Sequence, residues 1–349
     1  MGRPAPPARS RGARLPDLIH AARARLSTQA AAACLNATKG PAVTLLYKAN
    51  AARGLAWQRC LAAEAPDLPF RLWPEVGDPR DIRYLAAWEP PEALADFPNL
   101  EIVFSVAAGV DRFDLSRFPA HIPLIRMMEP GIGEAMVDYV TLAVLSIHRN
   151  LVAYIDQQRR RVWQEREIRP AAESRVGILG LGHLGQATAS RLHRLGFPVS
   201  GWSRSRRSVP DVTSFAGRAE LPAFLAQTDI LVCLLPLTEE TRGILDRELF
   251  SGMPRGAALV NVGRGQHLVD RDLLSALDEG QLSAAVLDVA DPEPPPTDHP
   301  FWAHPKILMT PHSASMTRPE SAVRFVLDTI ARRREGRELI GEVDRERGY

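Results

Sequence analysis

Short apolar runs alternate with amphipathic segments from residue 42 onward. In the first half of the chain, five such runs have the length and the aliphatic and aromatic character of buried strands. They predict strands at 42–48, 70–73, 84–88, 101–106 and 122–127. Because crossover segments lie between the runs, the pattern predicts a small parallel α/β domain.

A second series of apolar runs follows in the second half of the chain. These runs are continuous rather than alternating, which is typical of strands buried on both faces of a parallel sheet. They predict strands at 175–179, 197–202, 229–235, 257–262, 284–289 and 306–310. Helical segments separate most of them, so six strands in this order predict a complete doubly wound domain.

One helix between the two series is unusually apolar. It is predicted over 133–150 and has Met136, Val140, Val144 and Ile147 on one face. Because the helix is so apolar, we expect it to pack between domains or between subunits.

The bulk composition indicates a soluble globular protein with two domains. Hydrophobic residues make up 45% and charged residues 24% of the chain, as in soluble globular proteins. With 349 residues, the chain is too long for one ordinary core, which predicts two domains. No apolar run approaches the roughly 18 residues that span a membrane. The three cysteines are scattered, which argues against disulfides and against a metal site and favours the cytoplasm.

The first 42 residues differ from the rest in charge. Their seven basic residues against Asp17 give a net +6, whereas the remaining chain carries −4. Residues 43–349 therefore lack the net positive charge that is typical of nucleic-acid-binding proteins. We predict a disordered basic leader that is dispensable; a transit peptide and upstream sequence from a wrongly chosen start codon remain alternatives.

A glycine-rich loop follows the predicted strand at 175–179. Gly180, Gly182 and Gly185 have the G-x-G-x-x-G spacing, and a helical pattern begins directly after them. In this context the glycines predict a pyrophosphate site at the helix N-terminus. A glycine-rich turn in an unrelated α/β protein is the alternative.

The end of the next predicted strand indicates the choice of cofactor. Ser203 stands twenty-three residues after Gly180, where an NAD-binding domain would have an acidic residue. A serine does not repel the extra phosphate of NADP, and the neighbouring Arg204 can pair with it. The site therefore predicts NADPH. Arg206 and Arg207 are interpreted either as auxiliary contacts or as solvated loop charges.

Three polar residues follow the last three predicted strands. Arg264, Glu293 and His312 should meet at the carboxyl edge of the sheet, where ligands bind in such folds. An arginine can bind a keto-acid carboxylate, a histidine can protonate the carbonyl oxygen, and a carboxylate can orient the imidazole. Each residue alone has an ordinary structural alternative, but their order favours catalysis.

The motifs "GILGLGHLG", "AALVNVGRG", "AAVLDVADPEP" and "TPHSASMT" resemble the D-isomer-specific 2-hydroxyacid dehydrogenase family over essentially all of 43–349. Within it, "YLAAWEPP", "SVAAGVDRF" and "EPGIGEAMVDYV" are most similar to the glyoxylate/hydroxypyruvate reductase A group. The resemblance implies an oxidoreductase that reduces glyoxylate and hydroxypyruvate to glycolate and D-glycerate. Alternatives are another small 2-keto or D-2-hydroxy acid, or a non-catalytic NADP(H)-sensing protein.

The resemblance also assigns residues. It carries the family's catalytic trio onto Arg264, Glu293 and His312. The backbone amides of residues 107–110 would bind the substrate carboxylate and Trp88 would cover the substrate; the predicted substrate contacts are Trp88, Ala108, Gly109, Val110 and Arg264. The predicted cofactor contacts are Gly180, Gly182, His183, Leu184, Gly185, Ser203, Arg204, Arg207, Pro236 and Asp288, the last on the nicotinamide amide.

The family's domain organisation is expected here as well. It implies a Rossmann cofactor domain at 131–315 and a smaller, flavodoxin-like substrate domain that is discontinuous, at 43–130 and 316–349. The active site would lie in the cleft between them, and the cofactor domain would form a homodimer. Ala107 and Ala290 depart from the glycine and phenylalanine that many members have.

Overall fold

The computed structural model describes residues 43–116 and 118–346, so the predicted leader at 1–42 lies outside the described residues. The described chain forms two compact units. The first unit comprises 43–106, 118–127 and 319–343, and the second comprises 107–116, 128–318 and 344–346. Residues 107–116 and 128–130 thus group with the second unit, apart from the other described residues of 43–130. The assignment of substrate and cofactor binding to separate domains stays a prediction.

The first unit is built on a five-stranded parallel sheet. Its strands are β1 (Thr44–Lys48), β2 (Phe70–Leu72), β3 (Ile82–Ala87), β4 (Ile102–Ser105) and β5 (Leu124–Ile125). Their spatial order is β2-β1-β3-β4-β5, with parallel pairing throughout. This is the flavodoxin-like order, so the predicted smaller α/β domain is confirmed.

The second unit contains a seven-stranded parallel sheet. Its strands are β6 (Val176–Leu179), β7 (Val199–Ser203), β8 (Thr213–Ala216), β9 (Ile230–Cys233), β10 (Ala257–Asn261), β11 (Leu282–Leu287) and β12 (Ile307–Met309). The spatial order is β12-β11-β10-β9-β6-β7-β8. The order reverses between β6 and β9, which is the topological switch point of a doubly wound fold. The predicted Rossmann fold is confirmed.

The prediction of six strands in this sheet was wrong by one. β8 is an additional edge strand that pairs only with β7. Its sequence, TSFA, has a single large apolar side chain, Phe215, and its residues are half-buried or exposed. A short edge strand of this kind leaves no continuous apolar run in the sequence.

Among the described residues, α-helices form one connection between strands of the first sheet and four in the second. In chain order the described helices are α1 (Ala51–Glu64), α2 (Pro130–His148), α3 (Leu151–Arg159), α4 (His183–Arg194), α5 (Gly217–Leu225), α6 (Arg247–Ser251), α7 (Asp270–Asp278) and α8 (Pro319–Arg334). In the first unit, α8 packs on α1, and Arg324 forms a 2.8 Å ion pair with Glu64 across that contact. None of the described helices combines the length and the hydropathy needed to span a membrane.

The apolar helix predicted over 133–150 is present as α2, Pro130–His148, which begins three residues and ends two residues before the predicted bounds. Asn150 adopts a left-handed conformation with φ of 57°, which ends α2 and starts α3. Met136, Val140 and Val144 are buried against α4 and the sheet of the second unit. Most of the predicted apolar face is therefore buried within this unit, and packing of the helix against a second subunit stays a prediction.

Candidate active site

The glycine loop after β6 has the geometry that a pyrophosphate needs. Gly180 has φ of +103°, and a Cβ there would lie 2.8 Å from the carbonyl oxygen of Leu234. At Gly185 a Cβ would lie 1.9 Å from the carbonyl oxygen of Gly180, so only glycine lets α4 approach β6 this closely.

Gly182 has a different role in the same loop. It is the N-cap of α4, makes no side-chain capping bond, and has no atom within 4 Å of the place a Cβ would take. An uncapped helix N-terminus beside open space suits an anion. The loop therefore fits a dinucleotide. His183 and Leu184 form the first turn of α4 directly after Gly182, the former exposed and the latter half-buried.

The basic corner lies at the end of β7. Arg204 and Arg207 are exposed there, and the hydroxyl of Ser203 donates to the carbonyl of Ser205 at 2.8 Å. Arg206 donates to the carbonyl oxygen of Ser214 at 2.6 Å and forms an ion pair with Glu220. Arg206 is thus exposed to solvent but also contacts β8 and α5.

His312 and Glu293 meet after the last two strands. The imidazole Nδ1 lies 2.9 Å from Oε2 and 3.1 Å from Oε1 of Glu293. Because a carboxylate only accepts, Nδ1 carries the proton of this hydrogen bond, and contact of Nε2 with a substrate stays a prediction. Burial opposes ionisation of Glu293, but the hydrogen bond and charge of His312 outweigh it and lower the pKa of the carboxyl group. The predicted pairing is present.

Asp288 organises the backbone that carries His312. Its buried carboxylate accepts the N–H groups of Ser313 at 2.9 Å and Ala314 at 2.8 Å, together with the hydroxyl of Thr310. Its own carbonyl accepts the N–H of His312 at 2.8 Å. These bonds hold His312 at φ of +51°, a left-handed conformation that persists only where the surroundings impose it. Contact of Asp288 with the nicotinamide stays a prediction.

Arg264 follows β10, which lies between β11 and β9 in the sheet. Its Nε donates to Oδ1 of Asp111 at 2.8 Å, and its Nη1 donates to the carbonyl of Gly263. A Cβ on Gly109 would lie only 1.9 Å from the other guanidinium nitrogen, so the predicted carboxylate-binding loop packs directly on Arg264. Ala108 is half-buried in this loop and Val110 is buried.

Asp111 was missed by the sequence reasoning. It lies 153 residues from Arg264 in the chain, and no motif spacing joins the two. Its neighbour Arg112 lies 3.9 Å from Glu293, so consecutive residues of opposite charge contact two members of the trio. The sequence feature that could have indicated this contact is the Asp-Arg pair at 111–112, directly after the predicted carboxylate-binding loop.

The loops after β10 and β11 are also in close contact. A Cβ on Gly265 would lie 2.0 Å from the carbonyl carbon of Ala290, so glycine is required for the loop of Arg264 to approach the loop of Glu293. Pro236 is half-buried in the loop after β9. Trp88 is half-buried at the end of β3 in the first unit, and its contact with substrate stays a prediction.

Comparison with known proteins agrees with this geometry. The family model for the NAD-binding domain of D-isomer specific 2-hydroxyacid dehydrogenases matches residues 141–314. A glyoxylate/hydroxypyruvate reductase A from Yersinia enterocolitica is 42% identical over 300 residues, covering 84% of this chain and 96% of that protein.

Two solved structures resemble the chain over most of its length. A D-isomer specific 2-hydroxyacid dehydrogenase from Xanthobacter autotrophicus Py2, crystallised with NADPH and MES, is 38% identical. Its TM-score is 0.83, and the match covers 88% of this chain and 100% of the Xanthobacter chain. An NADPH-dependent glyoxylate/hydroxypyruvate reductase from Sinorhizobium meliloti, with NADP and sulfate, is 34% identical. Its TM-score is 0.81, and the match covers 89% of this chain and 100% of the Sinorhizobium chain.

Proposed function

The chain belongs to the D-isomer-specific 2-hydroxyacid dehydrogenase family, and on this premise we propose that it reduces glyoxylate and hydroxypyruvate with NADPH. The products are glycolate and D-glycerate. The observation that carries the proposal is the His312–Glu293 pair beside Arg264, at the carboxyl ends of adjacent strands. The named activity of the Yersinia and Sinorhizobium relatives supports the substrate class.

The residues divide the chemistry between them. NADPH, when bound, supplies a hydride to the carbonyl carbon of the keto acid. Arg264 binds the substrate carboxylate and polarises the ketone, with the backbone amides of 107–110 beside it. His312 donates the proton on Nε2 to the carbonyl oxygen, and Glu293 stabilises the imidazolium through Nδ1. Asp111 holds Nε of Arg264 and so orients the guanidinium beside Gly109.

The direct test is a panel of 2-keto acids offered with NADPH or NADH, followed by the loss of reduced-cofactor absorbance. We expect turnover of glyoxylate and hydroxypyruvate with NADPH, and weaker turnover of bulkier acids. Binding of NADPH without reduction of any short keto acid would contradict the proposal and favour an NADP(H)-sensing protein.

The first prediction concerns pH. The pKa of Glu293 is lowered, so its carboxylate stays charged at neutral pH and favours the imidazolium of His312. Glu293→Gln keeps a hydrogen-bond acceptor but removes the charge, so the rate of reduction should begin to fall at a lower pH than in the wild type. The profile of kcat/KM against pH measures this. An unchanged alkaline limb would show that Glu293 does not influence the proton donor.

We also propose a homodimer formed through the second unit. Trp163 is fully exposed, and Leu142, Leu151 and Ile168 on the adjoining helices and segment are exposed as well. The backbone N–H of Arg166 donates to Tyr154 on α3 at 3.0 Å, so this segment is attached to the helix. Four large apolar side chains exposed in this part of the second unit favour a surface that binds another protein chain.

The second prediction tests this surface by charge. Trp163→Asp should shift the protein from dimer to monomer in sedimentation velocity, because an aspartate cannot be buried there unpaired. Leu195→Asp, at an exposed apolar position after α4, is the matched control and should leave the association state unchanged. A wild type that sediments as a monomer would refute the proposed dimer.

A cytoplasmic location is likewise proposed. Among the described residues, Cys60 and Cys233 are free thiols. Unpaired cysteines are typical of a reducing compartment. Subcellular fractionation of the native protein tests this directly.

A further inference from the structure

His267 lies three residues after Arg264 and is completely buried. Its Nδ1 accepts the backbone N–H of Arg264 at 2.9 Å, and its Nε2 lies 3.3 Å from the carbonyl oxygen of Pro236. A donor faces one nitrogen and an acceptor faces the other, so the ring is neutral with its proton on Nε2. Burial also lowers the pKa of His267, which favours the same neutral form.

The surrounding loop is built around this ring. A Cβ on Gly263 would lie 2.8 Å from Nδ1, so a glycine is needed beneath the imidazole. The carbonyl of Arg264 accepts from the side chain of Asn261 at 3.1 Å and from the N–H of His267 at 3.2 Å. Both backbone polar groups of Arg264 are therefore fixed, and the imidazole holds the N–H.

We propose that His267 is a positioning residue that joins the keto-acid site to the cofactor site. Its Nδ1 sets the backbone from which Arg264 reaches the substrate carboxylate. Its Nε2–H holds the loop of Pro236, which is predicted to contact NADPH. The inference rests on the proposed function, because it takes Arg264 and Pro236 as the substrate and cofactor contacts.

The two bonds have different consequences if they are lost. Without the acceptor at Nδ1, the N–H of Arg264 is left without its partner and the guanidinium shifts, which weakens binding of the keto acid. Such misplacement is costly where a substrate must be aligned. Without the donor at Nε2, the carbonyl of Pro236 keeps the hydroxyl of Thr241 at 2.7 Å, so that loop loosens rather than detaches.

Two amide substitutions separate the bonds. In His267→Asn, the side-chain oxygen can take the place of Nδ1, but the side chain is too short to reach Pro236. In His267→Gln, the longer amide can donate to Pro236, but no acceptor remains at the position of Nδ1. Each lost bond should change affinity roughly two- to tenfold.

The readouts are the KM for glyoxylate and the Kd for NADPH, the latter from protein fluorescence without turnover. We expect His267→Gln to raise KM and leave Kd unchanged, and His267→Asn to raise Kd with the smaller effect on KM. His304 provides the matched control, because its Nδ1 accepts the N–H of Lys306 at 3.2 Å before β12, at the opposite end of the strand from His312. His304→Asn and His304→Gln should change neither constant.

The proposal would be overturned if KM and Kd rose together in both variants, in proportion to the loss of thermal stability. His267 would then be an ordinary core residue. If one variant does not fold, the ratio of the KM change to the Kd change in the other decides. If the wild type reduces no keto acid, the proposed function fails separately. The NADPH titrations of the two variants then still decide whether Nε2 acts on the cofactor loop.

Discussion

His312→Ala should lower the turnover number for glyoxylate about 10²–10⁴-fold, while the Kd for NADPH stays nearly unchanged. The imidazole is the group proposed to donate a proton to the carbonyl oxygen through Nε2, since Nδ1 is engaged by Glu293. Water can replace this donor only inefficiently. The glycine loop after β6 lies at another strand, so binding of the cofactor should not depend on the imidazole.

The backbone at His312 requires a second variant. Alanine at φ of +51° is strained, so part of any loss in His312→Ala could come from a displaced loop. His312→Asn avoids this problem, because asparagine tolerates the left-handed conformation yet cannot act as a comparable acid. Both variants should lose turnover to a similar extent. Near-normal turnover in His312→Asn would refute the assignment, and His304→Ala serves as the control for replacing a histidine near β12.

The sequence predicts the catalytic trio because the topology of the sheet is simple. Parallel strands end at one edge, so residues placed directly after successive strands converge there. Arg264, Glu293 and His312 could therefore be brought together from strand assignments alone, and the glycine spacing located the loop after β6 in the same way. Neither inference needed the conformation of a side chain.

The supporting contacts depend on how distant segments pack, and the sequence contains no spacing rule for that. Asp111 meets Arg264 because residues 107–116 group with the second unit. His267 was missed because, in the sequence, a buried histidine near the predicted catalytic arginine looks the same as an exposed one. Arg206 had two open interpretations, and its partners became evident only with β8, the strand that the hydropathy pattern missed.

The glycines that flank Arg264 show the same distinction. "VNVGRG" identifies a loop, but only the structure explains why neither glycine can be replaced. A side chain at Gly263 would meet the ring of His267, and one at Gly265 would meet the backbone of Ala290. The loop is thus held against two neighbouring segments, and this packing keeps Arg264 close to the Glu293 loop.

The wild type should prefer NADPH over NADH by roughly 10- to 150-fold, the range expected for one charge-assisted hydrogen bond to the extra phosphate. Arg204 is the residue on which this preference should depend, since it is exposed directly after β7. Arg204→Ala should weaken NADPH binding and leave NADH binding nearly unchanged. Added salt should reduce the preference as well, because exposed charges are screened.

Ser203→Asp should reverse the preference rather than only reduce it. The new carboxylate would repel the 2′-phosphate of NADPH and accept bonds from the ribose hydroxyls of NADH. Arg207→Ala is the control for removing an exposed charge from the same loop, and its effect on the preference should be smaller. Arg206→Ala should instead lower thermal stability, because it breaks the contacts with Ser214 and Glu220.

Kd values for both cofactors at low and high salt distinguish the possible roles of Arg204. A preference that falls in Arg204→Ala because only NADPH binding weakens assigns the side chain to the phosphate. An equal loss for NADPH and NADH would contradict that assignment, since only the shared adenosine could then be its partner, through stacking of the guanidinium on the adenine. A wild type that binds both cofactors equally at low salt would show that the basic corner after β7 does not select the cofactor.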